Sequence, residues 1–377
     1  MSAKDTIRYV ALSYCWGSFG LPLKTETNTL EDRLRGIPIQ DMPQCFQDAI
    51  KVTRIIGLRY IWIDSLCIIQ NDEKDWANEA GLMFDIFSNS FLTLGVASIS
   101  SCHDSFLNKS LPQRFKVHFQ SRINPNIVGS YFIQKAPPMV IPGDPNWDDP
   151  IPWNGDMLSS EWNRRGWVWQ EQNAPSKLLI WGKSMFHLRD ENLTSEDGSK
   201  ATPWPFGIYD PDDDAHLRIW YAWISDFSLK KLTYRTDRLP AVSGLAKLIS
   251  RTTKHEYRAG HWYNNEDFWK KISWTVSDLP KFDELLQDLT TSERYSAPSW
   301  SWASRSQRVT WKDILPGQGT AVQYKSEIID CQVVLKGEDS TGAVKEGKVI
   351  IRGKLKPVQV PPSTDEYLAD LSPDSNG

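Results

Sequence analysis

The chain has 377 residues, enough for about two domains at roughly 150 residues each, and its 43 Lys+Arg against 47 Asp+Glu give a net charge of −4. That balance excludes a sequence-blind binder of the nucleic-acid backbone, which needs a strongly basic face. With 40% hydrophobic and 24% charged residues the chain is not disordered throughout.

The longest apolar stretch, residues 60–63 resuming at 66–69, is far short of the ~20 residues of a membrane span, so none is expected. The first residues lack the basic-then-apolar order of a signal peptide, which points to a cytoplasmic protein. Five cysteines without a C-x-x-C pair read as reduced thiols rather than a disulfide framework or a zinc cluster. The 18 Trp suggest wide aromatic packing surfaces.

In chain order, residues 9–14 form a short apolar run ended by Cys15-Trp16-Gly17, a buried strand. Asp41 and Pro43 then start a helix with Phe46, Ala49, Ile50 and Thr53 on one face, stopped by Gly57. Residues 60–64 (YIWID) make a second strand, Asp72 to Asp75 cap a second helix carrying Trp76, Ala80, Met83, Phe84 and Phe87, and residues 91–97 make a third strand. This βαβαβ start predicts a parallel sheet with ligands outside the carboxyl ends of its strands.

From residue 102 to about 160 periodicity fails and prolines crowd at 136–138 and 148–152, which reads as long loops or a domain junction. Residues 161–171 read as one helix, and 177–181 with 185–188 as a hairpin. An acidic loop at 210–214, helical patterns at 217–229, 239–249 and 266–274, and strand-like runs at 327–335 and 349–355 make the second half mixed α and β.

Helical phase sets Glu79 on the apolar stripe of the second helix, where an unpaired carboxylate is costly unless it is hydrogen-bonded, protonated or at a cavity edge. It serves either a site or the cap of its own helix. Asp64 and Ser65 end the second strand beside Ser13 to Gly17 at the end of the first, so Ser13, Asp64 and Glu79 share one crevice, Asp64 acting on a ligand or bonding its own turn. Cys67 has no histidine in a recognisable arrangement and reads as core filler before nucleophile. The run 164–171 (RRGWVWQE) either holds an anion by Arg on Trp or clamps the second half onto the first, the clamp being favoured. The histidines have no metal-binding spacing.

Four blocks together resemble the fungal heterokaryon-incompatibility (HET) domain family: residues 9–17 (YVALSYCWG), residues 60–70 (YIWIDSLCIIQ), Asp75-Trp76 with Glu79 and Met83, and residues 165–171 (RGWVWQE). Residues 232–239, 260–262 (GHW) and 297–303 (APSWSWA) are similar to the region often found behind that domain. The resemblance divides the chain into a HET domain at 1–195, a mixed α+β region at 196–361 and a flexible tail at 362–377.

It also implies a protein of non-self recognition whose activation leads to growth arrest or programmed cell death. A more distant resemblance to TIR domains implies a TIR-like, flavodoxin-like parallel sheet. It also implies an NAD-type glycohydrolase in which Glu79, the one position carried across, is catalytic, while the strand-end topology sets Ser13, Tyr14, Trp16, Gly17, Asp64, Ser65 and Trp76 around the substrate. No resident cofactor or metal is implied; NAD is a candidate substrate. The alternative is a catalytically inert domain that signals through self-association or a protein partner.

Overall fold

The structure is a computed structural model that describes residues 7–17, 23–108, 114–134, 156–157, 159–183, 185–190, 213–251, 253–264, 268–276, 295–311 and 327–353. The first half is the expected βαβαβ run: β1 (Tyr9–Ser13), α1 (Gln44–Ile55), β2 (Tyr60–Ile63), α2 (Glu73–Ser88) and β3 (Leu92–Val96). Both neighbours of β1 run parallel to it, Leu12 lying opposite Ile63 on one side and Leu94 on the other.

Strand periodicity explains the layers. Val10, Leu12 and Tyr14 point to the face where α1 buries Cys45, Phe46, Ala49 and Val52, whereas Ala11 points to the face where α2 buries Met83 and Phe87. A central strand covered on both faces needs the near-continuous apolar run seen at its positions. Pro43, rather than Asp41, precedes the first turn of α1, because residues 39–41 form a separate 3-10 turn. Asp72 caps α2 by accepting from the Lys74 and Asp75 backbone N–H groups.

Two expectations are corrected and a third is extended. Residues 102–160 are not loop alone, since Arg114–Gln120 and Val128–Gln134 pair as an antiparallel hairpin; the proline clusters at 136–138 and 148–152 lie outside the described residues. The helix expected at 161–171 is two short ones, α3 (Glu161–Arg164) and α4 (Val168–Asn173). They part because Arg164 and Gly166 turn their backbone to Lys231, whose N–H donates to the Arg164 carbonyl at 2.6 Å and whose carbonyl accepts from Gly166 N–H at 2.7 Å. The expected hairpin at 177–188 joins the main sheet as β4 (Lys177–Trp181), parallel to β3, and β5 (Phe186–Asp190), antiparallel to β4.

The five strands lie in the order β2-β1-β3-β4-β5. The chain leaves β1 to one side for β2 and returns to the other for β3, which sets the topological switch point between β1 and β3. No helix of the described residues is long and apolar enough to cross a membrane.

In the second half, α5 (Asp213–Phe227) and α6 (Pro240–Ser250) build a core with the fully buried Trp220, Trp262, Trp302 and Trp311. The strand-like runs near the C-terminus are the antiparallel pair β6 (Glu327–Leu335) and β7 (Val344–Arg352). Helix α6 packs on α2 and α4, where the Gly244 N–H donates to Gln170 Oε1 at 2.9 Å. The two tryptophan-bearing motifs of this half lock together. The Gly260 carbonyl accepts the indole N–H groups of Trp220 (3.1 Å) and Trp302 (2.9 Å), and Ser301 Oγ donates to the Ala259 carbonyl at 2.6 Å.

Gly260 has φ of +96°, and a Cβ there would sit 2.4 Å from Trp302 Nε1. Gly260→Ala is therefore expected to cost on the order of 2–3 kcal/mol, from backbone strain and the displaced indole, read as a lower urea midpoint.

The neighbouring His261 is fully buried among the rings of Tyr221, Phe268, Trp300 and Trp311. Desolvation, opposed by the Trp300 backbone and reinforced by Lys271, pulls its pKa down to about 3. Unfolding frees the imidazole to bind a proton near pH 6.5, so its contribution to stability is present above that pH and is lost as pH falls toward 3. His261→Phe is expected to remove a few kcal/mol of this acid destabilisation. Urea unfolding at pH 7 and pH 4.5 checks this, with the variant gaining on the native chain at the lower pH.

Candidate active site

At the carboxyl ends of β1 and β2 the chain opens a cleft of about 770 Å³. Trp16 and Gly17 follow β1, Asp64 follows β2, Trp76, Ala80 and Met83 come from α2, and Arg165, Trp167 and Glu171 come from the α3–α4 segment. Thr233, Tyr234 and Asp237 complete it from the second half. Trp76 meets Trp167 edge to face at 6.2 Å.

Two polar knots form its base. In the first, Ser13 Oγ donates to Glu171 Oε2 and accepts the Trp162 indole N–H at 2.6 Å, while the Arg165 guanidinium donates to the Tyr14 carbonyl. The Trp162 ring lies over Gly95 on β3, where a Cβ would come within 2.8 Å of it, so only glycine admits the indole. In the second knot, the Tyr14 hydroxyl donates to Ser65 Oγ at 3.1 Å, and Ser65 Oγ donates to the Leu23 carbonyl at 2.9 Å. Asp64 accepts the Trp16 indole N–H at 3.0 Å through one oxygen and the Ser65 N–H at 2.7 Å through the other, so it turns its own backbone and orients an aromatic wall at once.

Glu171 is 4% exposed. Desolvation pushes its pKa up to about 7; the Arg165 charge and the Ser13 hydrogen bond resist this, and Asp64 adds to it. A carboxyl that is half ionised near neutrality can serve as acid or as carboxylate. Asp237, bonded to the Trp167 indole at 3.2 Å, also has a raised pKa, from burial.

The structure thus brings together Ser13, Tyr14, Trp16, Gly17, Asp64, Ser65 and Trp76. Trp16, Gly17, Asp64 and Trp76 line the cleft; Ser13, Tyr14 and Ser65 lie buried beneath it. Glu79 is not among the lining residues. It is half-buried rather than set into the apolar stripe, with Asn78 Nδ2 at 3.4 Å from its Oε1, and burial followed by the Asp75 charge raises its pKa. The capping role belongs to Asp72.

Cys67 stands exposed, and its thiol pKa is pushed up by desolvation and by the Asp64 and Glu79 carboxylates, which works against a thiolate nucleophile. The RGWVWQE run acts as the favoured clamp on the second half, through Gly166 and Gln170, and also turns Arg165, Trp167 and Glu171 to the cleft. Glu171 as a site carboxylate was missed. Its signal was a carboxylate in a Trp-rich apolar run. No group of three or more His, Cys, Asp or Glu among the described residues is arranged to hold a metal ion.

Residues 9–171 match the family model described as heterokaryon incompatibility protein (HET), the matched segment beginning with β1 and ending at Glu171. This segment is a HET domain. Neither a curated protein nor a solved structure matches the chain. The two ends of the HET domain meet at its base, where Ser13 and Glu171 are hydrogen-bonded across 158 positions of sequence.

Free Glu ionises near pH 4.5 and buried Glu171 near 7, so the folded HET domain holds a proton that the unfolded chain has lost, and stability falls as pH rises between those values. Glu171→Gln is expected to abolish this fall. Chemical denaturation at pH 5 and pH 8 should show the variant gaining on the native chain, by on the order of 3 kcal/mol.

Proposed function

We propose that this HET-domain protein is a cytoplasmic effector or regulator of non-self recognition and programmed cell death, acting through cleavage of an N-glycosidic bond in a nucleotide of the NAD type. The observation that carries the reading is a buried carboxyl, Glu171, with its pKa raised to about 7 at the wall of an aromatic cleft beside the switch point of the sheet. The strand order β2-β1-β3-β4 supports a TIR-like, flavodoxin-like reading of the sheet, with the antiparallel β5 as a departure from it.

In the proposed reaction the bond between the ribose anomeric carbon and the nicotinamide nitrogen breaks, and neutral nicotinamide leaves with the bonding electrons. Water adds to the oxocarbenium-like centre and releases a proton. The Glu171 carboxylate stabilises the developing positive charge, as carboxylates do in glycoside hydrolysis. Trp16, held by Asp64, and Trp76 offer faces for flat rings. Glu79 serves as the comparison, because it lies on α2 outside the lining.

The test is nicotinamide release from NAD by the purified full chain. Glu171→Gln is expected to lose about 100-fold or more in rate while staying folded, Glu79→Gln to keep most of it, and the native rate to fall as pH drops below 7.

A second reading, an inert domain that signals by self-association or through a protein partner, is favoured by the same knot, since Ser13, Trp162 and Glu171 satisfy one another. Absence of release by the native chain at any protein concentration would sink the enzymatic reading and leave this one.

A further inference from the structure

No residue of the hairpin Arg114–Gln120/Val128–Gln134 belongs to the buried clusters of the described residues or lines the cleft. Its seven-pair register sets Phe115 opposite Ile133, Val117 opposite Tyr131 and Phe119 opposite Gly129, so one face is apolar along its whole length. Phe115, Phe119, Tyr131 and Ile133 are all exposed there. Two more large apolar residues, Val128 (70% exposed) and Phe132 (63%), lie on the other face beside Lys116 and His118. Isolated two-stranded hairpins are at best marginally stable in water, and contiguous apolar surface of this kind marks a contact site.

The tip is the most exposed part and is firmly built. Ser121 N–H donates to the Ile127 carbonyl at 2.9 Å, Ile127 N–H to the Asn124 carbonyl at 3.0 Å, and Gln120 Nε2 to the Pro125 carbonyl at 2.8 Å. Ser121 Oγ accepts from the Ile123 and Asn124 N–H groups, and Asn124 Oδ1 from Asn126 N–H. The turn thus satisfies much of its own backbone, which is what lets a segment enter an apolar medium, while it holds Ile123 97% exposed.

Charge selects the occupant. In a chain with an excess of four acidic residues, positions 114–134 contain Arg114, Lys116 and Arg122 and no Asp or Glu. A second copy would present the same cations with no acid to meet them. An anionic lipid surface meets both features, with apolar side chains in the acyl boundary and cations at the headgroups.

We propose that this hairpin is a membrane-anchoring element that inserts its Ile123 tip and apolar face into the surface of an anionic bilayer and brings the HET domain to it. Each basic residue near such a surface contributes roughly fivefold to partitioning, and the tip side chain contributes about tenfold or more.

The experiment is flotation of the purified full chain with vesicles of phosphatidylcholine alone and of an equal mixture of phosphatidylcholine and phosphatidylserine. The native chain is expected to float with the mixed vesicles and to detach as salt rises. Ile123→Asp, at a position too exposed to matter for folding, is expected to lose about tenfold or more of that partitioning. Lys116→Glu with Arg122→Glu is expected to lose about twentyfold or more.

Failure of the native chain to float with either vesicle would overturn the proposal, as would undiminished flotation of Ile123→Asp. A dimer in lipid-free solution that Ile123→Asp dissociates, with no flotation of the native chain, would also overturn it and assign the hairpin to self-association.

Discussion

The architecture of the first half turns on one buried carboxyl. Glu171 is drawn out of water beneath the carboxyl end of β1, and Ser13, Trp162 and Arg165 gather around it. Moving such a group from water is costly unless its oxygens find donors or it keeps its proton, and both answers are in use. The solution fixes more than the carboxyl. Trp162 must lie on β3, which forces a glycine at position 95, and Arg165 must reach the Tyr14 carbonyl, which sets how α3 and α4 approach the sheet.

The same short segment ties the halves together. Its backbone at Arg164 and Gly166 pairs with Lys231, Trp167 bonds Asp237, and Gln170 takes the Gly244 N–H. Because Tyr234 and Asp237 line the cleft with Trp16 and Asp64, a change that loosens the second half also alters the cleft's wall. Aromatic rings supply much of the grip. Among the described residues five tryptophans are fully buried, and in the second half two of them share one carbonyl, that of Gly260.

Much of the first half was legible because its signals are strong and local. The near-continuous apolar run through residues 9–12 and the stripe of Ala80, Met83 and Phe87 each had a core to face. The location of the site was legible too, since chain order alone places Ser13 to Gly17 and Asp64 at one sheet edge. The choice of carboxylate was not. Helical phase favoured Glu79, but the burial of Glu171 depends on a break at Arg165 and Gly166 whose cause is Lys231, a residue far along the chain. The hairpin at 114–134 was hidden by the failing periodicity and nearby prolines, although Phe115, Val117 and Phe119 do alternate with polar residues. Its apolar face has no core of its own to confirm the pattern.

The bond between Ser13 and Glu171 has a consequence for how the protein is made. Ser13 leaves the ribosome early, but its partner follows 158 residues later, so the first strand is synthesised long before the group that completes its end. Until then the nascent chain lacks the Trp162 and Glu171 groups that complete the end of β1. Fragments that end before residue 165 lack the arginine and the carboxyl together, and those that end between 165 and 170 carry the arginine without its carboxylate.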